Sequence, residues 1–388
     1  MPPRHRLLAA ILGALTALGP LGVDMYLPAF PMMAAELGVG PGAIQRTLAT
    51  FLLGMAVGQL VHGPLSDRLG RRAPLFAGLA IYGLASVGCA VAQDATVLAW
   101  LRLVQALGGC VGIVVARAMV RDLCDERGAV RMSAALMLAM GAAPILAPAL
   151  GGWLMAGLGW RSIFWLLAVY AAAMMVIVAL VLPESLPPER RRRDNLLGIV
   201  VVYGRILGDR RFLSFALAGA LPMSGLFAYL TASPGVLMEI HGLDPVTYGM
   251  AFGANAVGLI VTSQIVSRLV RRLAPAQLLV QALAIQAAMG LLAAVAAASG
   301  LLWPLLSALF LYLSVMGALL PLAGALAMAT QGPVAGSASA VIGALQFGTG
   351  ALVGTGFGLL SAPAPIAMGG FLAVAGLAGL AAHHALRR

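Results

Sequence analysis

Apolar residues in this chain fall into long runs, and polar residues gather in short clusters between them. About twelve runs approach the roughly 20 residues a helix needs to cross a bilayer. They lie near 7–33, 44–65, 73–92, 96–119, 131–156, 161–182, 211–237, 245–267, 275–298, 301–329, 333–361 and 363–386. The pattern predicts an all-α membrane protein of twelve transmembrane helices. The longest polar interval, 183–210, runs from Pro183-Glu184-Ser185 through Arg190-Arg191-Arg192-Arg193 and divides the runs six and six. The expected organisation is an N-terminal six-helix bundle at 1–182, a linker at 183–210 and a C-terminal six-helix bundle at 211–388. The first run begins with Arg4 and Arg6, as a secretory signal would. Its apolar body outruns a signal's usual length and no convincing cleavage site precedes Asp24, so it reads as a retained first helix.

The two halves echo each other. Asp67-Arg68-Leu69-Gly70-Arg71-Arg72 returns in part as Ser267-Arg268-Leu269-Val270-Arg271-Arg272, Ala56-Val57-Gly58 as Ala256-Val257-Gly258, and Tyr26-Leu27-Pro28-Ala29-Phe30-Pro31 as Tyr229-Leu230-Thr231-Ala232-Ser233-Pro234. The shared order of these echoes predicts a tandem repeat. Parallel six-helix repeats around a central site are a transporter architecture, because two similar bundles can rock about a cavity and open one side, then the other.

Composition agrees with lipid as the solvent. The chain of 388 residues is 61% hydrophobic and 10% charged, against about 25% charged in soluble domains. The net charge of +11 would admit nucleic acid as a partner, but its arrangement excludes that reading. With the N-terminus placed in the cytoplasm, 20 of the 24 arginines face inward. Only Arg46 and Arg161 face outward, while Arg102 and Arg117 lie within a run. That asymmetry orients the chain with both termini cytoplasmic. The linker arginines read as solvated, with contact to anionic headgroups as the alternative. The chain has no lysine, so a phosphate-cradling GxxxxGK[ST] loop is excluded. Cys89, Cys110 and Cys124 have no paired spacing and read as buried inert thiols. The histidines form no metal pattern, and His383-His384 reads as the fraying end of the last helix. Neither a cofactor nor a metal is expected.

Among the acids, only Asp24 falls inside a predicted helix. A carboxyl in low dielectric can take up and release a proton, which makes it a candidate for proton coupling; the plainer alternative is solvation at the outer interface. Arg102 is a second charge within a run, sharing a helix face with Gln105 and Gly109, and its alternative is snorkelling to the outer interface. Arg117 lies near the cytoplasmic end of the same run, where it reads as an anchor, with a functional role as the alternative. Pro144 and Pro148 stand four residues apart on the fifth run, with Gly141, Gly151 and Gly152 nearby. Such a run predicts a bent, closely packed helix that seals a path against proton leak. The second half has Gln346 and Gly350 at those positions and lacks counterparts of Asp24 and Arg102, so the proton machinery is expected in the first half. Candidate cavity-lining groups are Tyr26, Gln59, Gln105, Phe227, Tyr229, Asn255 and Gln346, each with helix packing as its alternative.

The stretch Gly63-Pro64-Leu65-Ser66-Asp67-Arg68-Leu69-Gly70-Arg71-Arg72 resembles the loop 2–3 signature of the major facilitator superfamily. Arg102-Leu103-Val104-Gln105-Ala106-Leu107-Gly108 is similar to that family's fourth-helix motif, with Ala106 where glycine is commoner. Pro144-Ile145-Leu146-Ala147-Pro148-Ala149-Leu150-Gly151-Gly152 resembles the fifth-helix motif of its proton-coupled drug antiporters, with Ala147 in place of the usual glycine. Asp24-Met25-Tyr26-Leu27-Pro28, Arg117 to Asp122 and Gly159-Trp160-Arg161 resemble the Bcr/CflA drug-resistance branch, whose members export bicyclomycin, chloramphenicol and florfenicol.

The resemblance implies a proton-driven drug antiporter of a bacterial inner membrane; the sparse, mostly apolar candidate cavity suits small, mostly neutral amphipathic molecules, and a monomer is expected. It implies a role for Arg102 in proton coupling or in a central helix contact. It also implies that Gly63, Asp67, Arg68, Gly70, Arg71 and Arg72 form a charge latch closing the cytoplasmic side. Asp67 favours the latch over plain topology signalling, because acids contribute little to orientation. In the echo, Ser267 and Val270 replace Asp67 and Gly70, so the latch belongs to the first copy. The rival readings are a related exporter of a metabolite such as a sugar or amino acid, an intramembrane enzyme, and a passive channel. No GxSxG or HExxH supports the enzyme.

Overall fold

A computed structural model of the protein describes residues 3–124, 128, 132, 136, 146–191, 196–331, 334–357 and 364–387. These residues are helical throughout, with turns and no strands among them. The first run is a broken helix: α1 (Pro3–Asp24), a 3-10 turn at Leu27–Ala29, then α2 (Phe30–Glu36). Next come α3 (Pro41–Leu69), α4 (Arg72–Val91), α5 (Ala95–Leu123), α6 (Leu146–Leu158) and α7 (Arg161–Leu180). A short helix in the polar interval, α8 (Leu196–Gly208), precedes α9 (Arg210–Ser233), which continues as a π-helical stretch, Pro234–Ile240. The chain ends with α10 (Pro245–Leu269), α11 (Pro275–Ser299), α12 (Leu302–Ala329), α13 (Ala335–Phe357) and α14 (Ala364–Arg387). Eleven of the described segments are long and apolar enough to span a membrane. The fifth predicted run is described from Leu146 onward, so Gly141 and Pro144 lie outside the described residues.

The helix starts are written in the sequence. The Asp94, Asp209 and Asp244 carboxylates each accept the free N–H groups of the turn they open. Proline opens α3, α10 and α11, where its missing N–H costs nothing. The echoed segments Tyr26–Pro31 and Tyr229–Pro234 both mark the end of a regular helix: the first holds a 3-10 turn, and the second closes α9 with Pro234 opening the π-helical stretch. Proline explains both, because Pro28, Pro31 and Pro234 supply no N–H to continue the α-helical ladder.

Two departures from the sequence reading concern helix ends. Gly63 to Leu69 is the last part of α3, not a loop; the chain turns only at Gly70, whose φ of +90° favours glycine. His383 is not frayed: it is buried in α14, with its Nδ1 3.0 Å from the Ser214 hydroxyl of α9.

The helices pack as two sets. In the first, α5 is central, lying against α1, α3 and α4, with α4 also against α7. In the second, α11 and α9 pack on α14, and α12 packs on α9, α10 and α11. Helix α3 of the first set runs along α13 of the second. There, Gly343 makes room for the Gln59 side chain and Gly354 for Ala49. A second crossing joins α6 to α10, where Gly152 faces Pro245 and Gly249 faces Ala149.

Candidate functional site

Asp24 ends α1 and is 4% exposed. It has no hydrogen-bond or ion-pair partner among the described residues. Solvation at an interface is therefore not its environment. It lies within electrostatic reach of the Tyr229 and Tyr248 hydroxyls of the second set. Those hydroxyls belong to a small polar cluster: Asn255 Nδ2 donates to Tyr229 Oη at 3.1 Å, and Ser233 Oγ lies 3.0 Å from Tyr248 Oη. Although the second half has no acid corresponding to Asp24, it supplies hydroxyls within electrostatic reach of that carboxyl. Helix α6 closes on the same turn, since a Cβ at Gly151 would overlap the Met25 carbonyl oxygen.

Arg102 does not snorkel; it is fully buried. Its Nη1 donates to Gln105 Oε1 at 2.5 Å and its Nη2 to the Gly22 carbonyl at 2.6 Å. The guanidinium carbon sits 4.1 Å from the Phe51 ring centre, 4.2 Å from Tyr26 and 5.6 Å from Phe164. Gln105 passes the network on, donating to Ser86 Oγ at 2.7 Å, which donates to the Tyr82 carbonyl at 2.7 Å. The Gly22 carbonyl is exposed for this bond because α1 breaks just beyond it. Arg102 thus clamps the helix break two residues before Asp24 and makes no ion pair with the acid.

The arginine-rich end of the bundle holds the second cluster. Arg71 is 1% exposed. Its Nη1 donates to Asp67 Oδ1 at 2.6 Å and Ser66 Oγ at 2.9 Å, and its Nε to Asp122 Oδ2 at 2.8 Å. Burial alone would lower the Arg71 pKa, but the bonds and charges of Asp122 and Asp67 raise it above its usual value. Glu184 accepts from the backbone N–H of Arg71 at 2.8 Å and of Arg72 at 3.1 Å. Partial burial pushes its carboxyl up, yet the N–H groups of Arg71, Leu186 and Arg72, with the Arg191 charge, hold it below its usual value. Gly70 admits this carboxylate: a Cβ there would lie 2.6 Å from Glu184 Oε2. Arg72 donates to the Ala179 carbonyl at 2.9 Å. Arg68 is exposed and unpaired among the described residues.

These bonds differ from a latch drawn across the two halves. Arg71 and Arg72 tie α3 and α4 to α5, α7 and the chain just after α7, all on the first set. The sets meet beside this cluster without an ion pair among the described residues, through contacts that include Gly63 against Ala340 and Arg117 against Ser339. In the echo, Arg268, Arg271 and Arg272 are exposed, and the Ser267 hydroxyl donates back to the Gln264 carbonyl of its own helix.

The predicted cavity residues separate. Gln59 borders an open volume of about 300 Å³ at the arginine-rich end, between α3, α5, α8 and α13. Tyr26 and Gln105 belong to the Arg102 network, and Tyr229 and Asn255 to the cluster within electrostatic reach of Asp24. Phe227 packs on Gly350 and Phe347, while Gln346 is half-buried beside Gly219. In the fifth-run motif, Pro148 is buried, Gly151 touches the Asp24 turn and Gly152 the second set. The residues not foreseen are Asp122, Glu184, Tyr248, Ser233, Ser86 and Tyr82. Asp122 and Glu184 each sit where a run meets a polar interval. The hydroxyls lie inside apolar runs, a visible but common signal.

Comparison with known proteins agrees with this architecture. The D-xylose-proton symporter has the same fold, with a TM-score of 0.75 at 16% identity over 97% of this chain and 96% of that one. An uncharacterised MFS-type transporter, YdgK of Bacillus subtilis (strain 168), is 34% identical over 98% of this chain and 95% of its own length. A bicyclomycin resistance protein homolog of Haemophilus influenzae is 30% identical over 89% of this chain and 87% of its own length. A chloramphenicol resistance protein of Pseudomonas aeruginosa is 33% identical over 69% of this chain and 63% of its own length. Residues 12–355 match the sequence profile of the Major Facilitator Superfamily. With a two-set bundle of spanning helices, relatives of near full length and this profile in accord, the chain is a multi-pass membrane transporter belonging to the Major Facilitator Superfamily.

Proposed function

We propose that the chain exports small, mostly neutral amphipathic drugs in exchange for protons, by alternating access between two six-helix bundles. The observation that carries this reading is Asp24: a buried carboxyl at a helix break, without a partner among the described residues and within electrostatic reach of hydroxyls of the opposite set. Such a group binds a proton in one arrangement of the bundles and releases it in another, because rocking changes what it faces. Arg102 holds the break in position through the Gly22 carbonyl. The interior around them is apolar and aromatic, which suits cargo without strong charge. Relatives named for bicyclomycin and chloramphenicol resistance support antibiotics of that kind as cargo. In this reading the arginine-rich end faces the cytoplasm of a bacterium, both termini lie there, and the proton gradient across the inner membrane is the energy source.

The test is Asp24→Asn in proteoliposomes with an imposed pH gradient. Uphill chloramphenicol transport is expected to vanish while gradient-free binding persists. Undiminished uphill transport by the variant would falsify the coupling role. Susceptibility of a pump-deficient strain expressing the protein, scanned across a broad antibiotic panel, identifies the cargo. Unchanged susceptibility throughout would shift the reading to a metabolite exporter.

A further inference from the structure

The cavity at the arginine-rich end carries charge that the reading above does not use. Its wall includes Arg68, Arg117 and Arg121, with Asp67 as the acid among its lining residues. Asp67 is already committed to Arg71. Arg117 and Arg121 have no ion-pair partner among the described residues. Arg117 is exposed, and its side chain borders the open volume.

Both side chains reach toward the start of α13. Arg117 Nη1 lies 3.4 Å from Ser339 Oγ, and a Cβ at Gly336 would lie 3.5 Å from Arg121 Nη1. The first turn of α13 contains no acid. A helix start is itself electropositive and presents N–H groups. Two guanidiniums held against it repel each other and the helix end unless negative charge lies between them. Topology signalling does not explain this placement. Arg117 is six residues from the end of α5, about 9 Å into the helix at 1.5 Å per residue. Its guanidinium reaches across to the other set at Ser339.

We propose that this cavity is a binding site for a compact anion, a carboxylate or phosphate group, held by Arg117 and Arg121 with the Ser337 and Ser339 hydroxyls. The volume of about 300 Å³ is at the small end of ligand pockets. Guanidinium forks favour planar or tetrahedral oxyanions. The anion is either the acidic group of a cytosolic amphiphile or the headgroup phosphate of a lipid in the adjoining leaflet. The inference rests on the transport reading only for the side of the membrane the cavity faces.

Binding is measured on full-length protein in nonionic detergent at low ionic strength, with no gradient and no transport. Calorimetric titrations use benzoate and inorganic phosphate as probes and benzamide as the uncharged analogue of benzoate. At least one anionic probe is expected to saturate, and benzamide is not. Arg117→Gln and Arg121→Gln are each expected to weaken binding at least about tenfold. Ser337→Asp, which places a carboxylate in the cavity, should abolish binding while the protein stays folded. Arg268→Gln, an exposed arginine of the echo, should leave it unchanged. Weaker benzoate binding in nanodiscs of phosphatidylcholine or phosphatidylglycerol than in lipid-free nonionic detergent, a difference lost in Arg117→Gln, assigns the site to headgroup phosphate. Equal affinity in detergent and in both nanodiscs assigns it to soluble anions. The proposal is overturned if the unmodified protein binds neither anion, if benzamide binds as well as benzoate, or if both arginine variants bind normally. Because Asp24→Asn is judged by uphill transport and this site by binding, either idea can fail without the other.

Discussion

Arg102 and Asp24 show how two charges can serve one site without touching. An arginine in a low-dielectric interior needs acceptors for its N–H groups and a tolerant surface for its charge. Gly22 and Gln105 supply the acceptors, and the Phe51 and Tyr26 rings supply the surface. Only a planar fork reaches both acceptors while stacking on two rings. Arg102→Lys keeps the charge but is expected to lose about 1.5–3 kcal/mol of stability, read as a lower thermal midpoint in detergent, and to impair drug transport. A variant with the midpoint and transport of the parent would show that charge alone matters there. Glu184 acts at the same scale with a pH signature. Its folded-state pKa is depressed from 4.5. Its contribution to stability is therefore present above about 4.5 and is lost as pH falls through the lower folded value. The expected result is a midpoint difference between the parent and Glu184→Gln at neutral pH that disappears in acid. A difference independent of pH would assign the effect to packing of the side chain.

At the scale of elements, the spanning helices were legible because a period-free apolar run of about 20 residues has few other uses. The cap acids and opening prolines marked several starts. The ends were harder to read. The Gly63–Arg72 stretch looked like a loop because charge is usually solvent-exposed, but a helix that reaches the membrane surface carries its last turn into a polar layer where Asp67 and Arg68 are accommodated. The Asp24 and Arg102 positions were visible as charges within apolar runs. Their partners were not, because a backbone carbonyl such as that of Gly22 leaves no mark in a sequence until the helix break that frees it is known. Adjacent glycines make the same point, since Gly151 and Gly152 look alike in sequence. Gly151→Ala would drive a methyl into the Met25 carbonyl, where backbone cannot easily yield, and is expected to cost about 1–3 kcal/mol and to reduce transport. Gly152→Ala meets its nearest neighbour, Pro245 Cβ, at an ordinary 3.7 Å and is expected to be tolerated. Comparing thermal midpoints and drug uptake for the two variants tests this, and equal behaviour would sink the assignment of Gly151 to the Asp24 turn.

For the whole molecule, the tandem echo in the sequence predicted two sets of helices, and the contacts between them define what must move. Helices α3 and α13 touch near both ends, at Gly63 with Ala340 and at Ala49 with Gly354. Rocking of the sets about a central site requires one of these contacts to open while the other holds. A Cβ at Gly63 would stand 4.0 Å from that of Ala340, inside the roughly 3.5–4.5 Å that a disulfide spans. The double variant Gly63→Cys with Ala340→Cys, made with Cys124→Ser, is therefore expected to cross-link under mild oxidation. Cys89 and Cys110 are buried and should take no part. Oxidation is expected to arrest drug uptake in inverted vesicles, and reduction to restore it, while each single cysteine variant responds to neither treatment. If the oxidised protein transports at the rate of the reduced one, then α3 and α13 do not separate at the arginine-rich end during the cycle. The moving contact would then have to be sought at α6 and α10, where Gly152 meets Pro245.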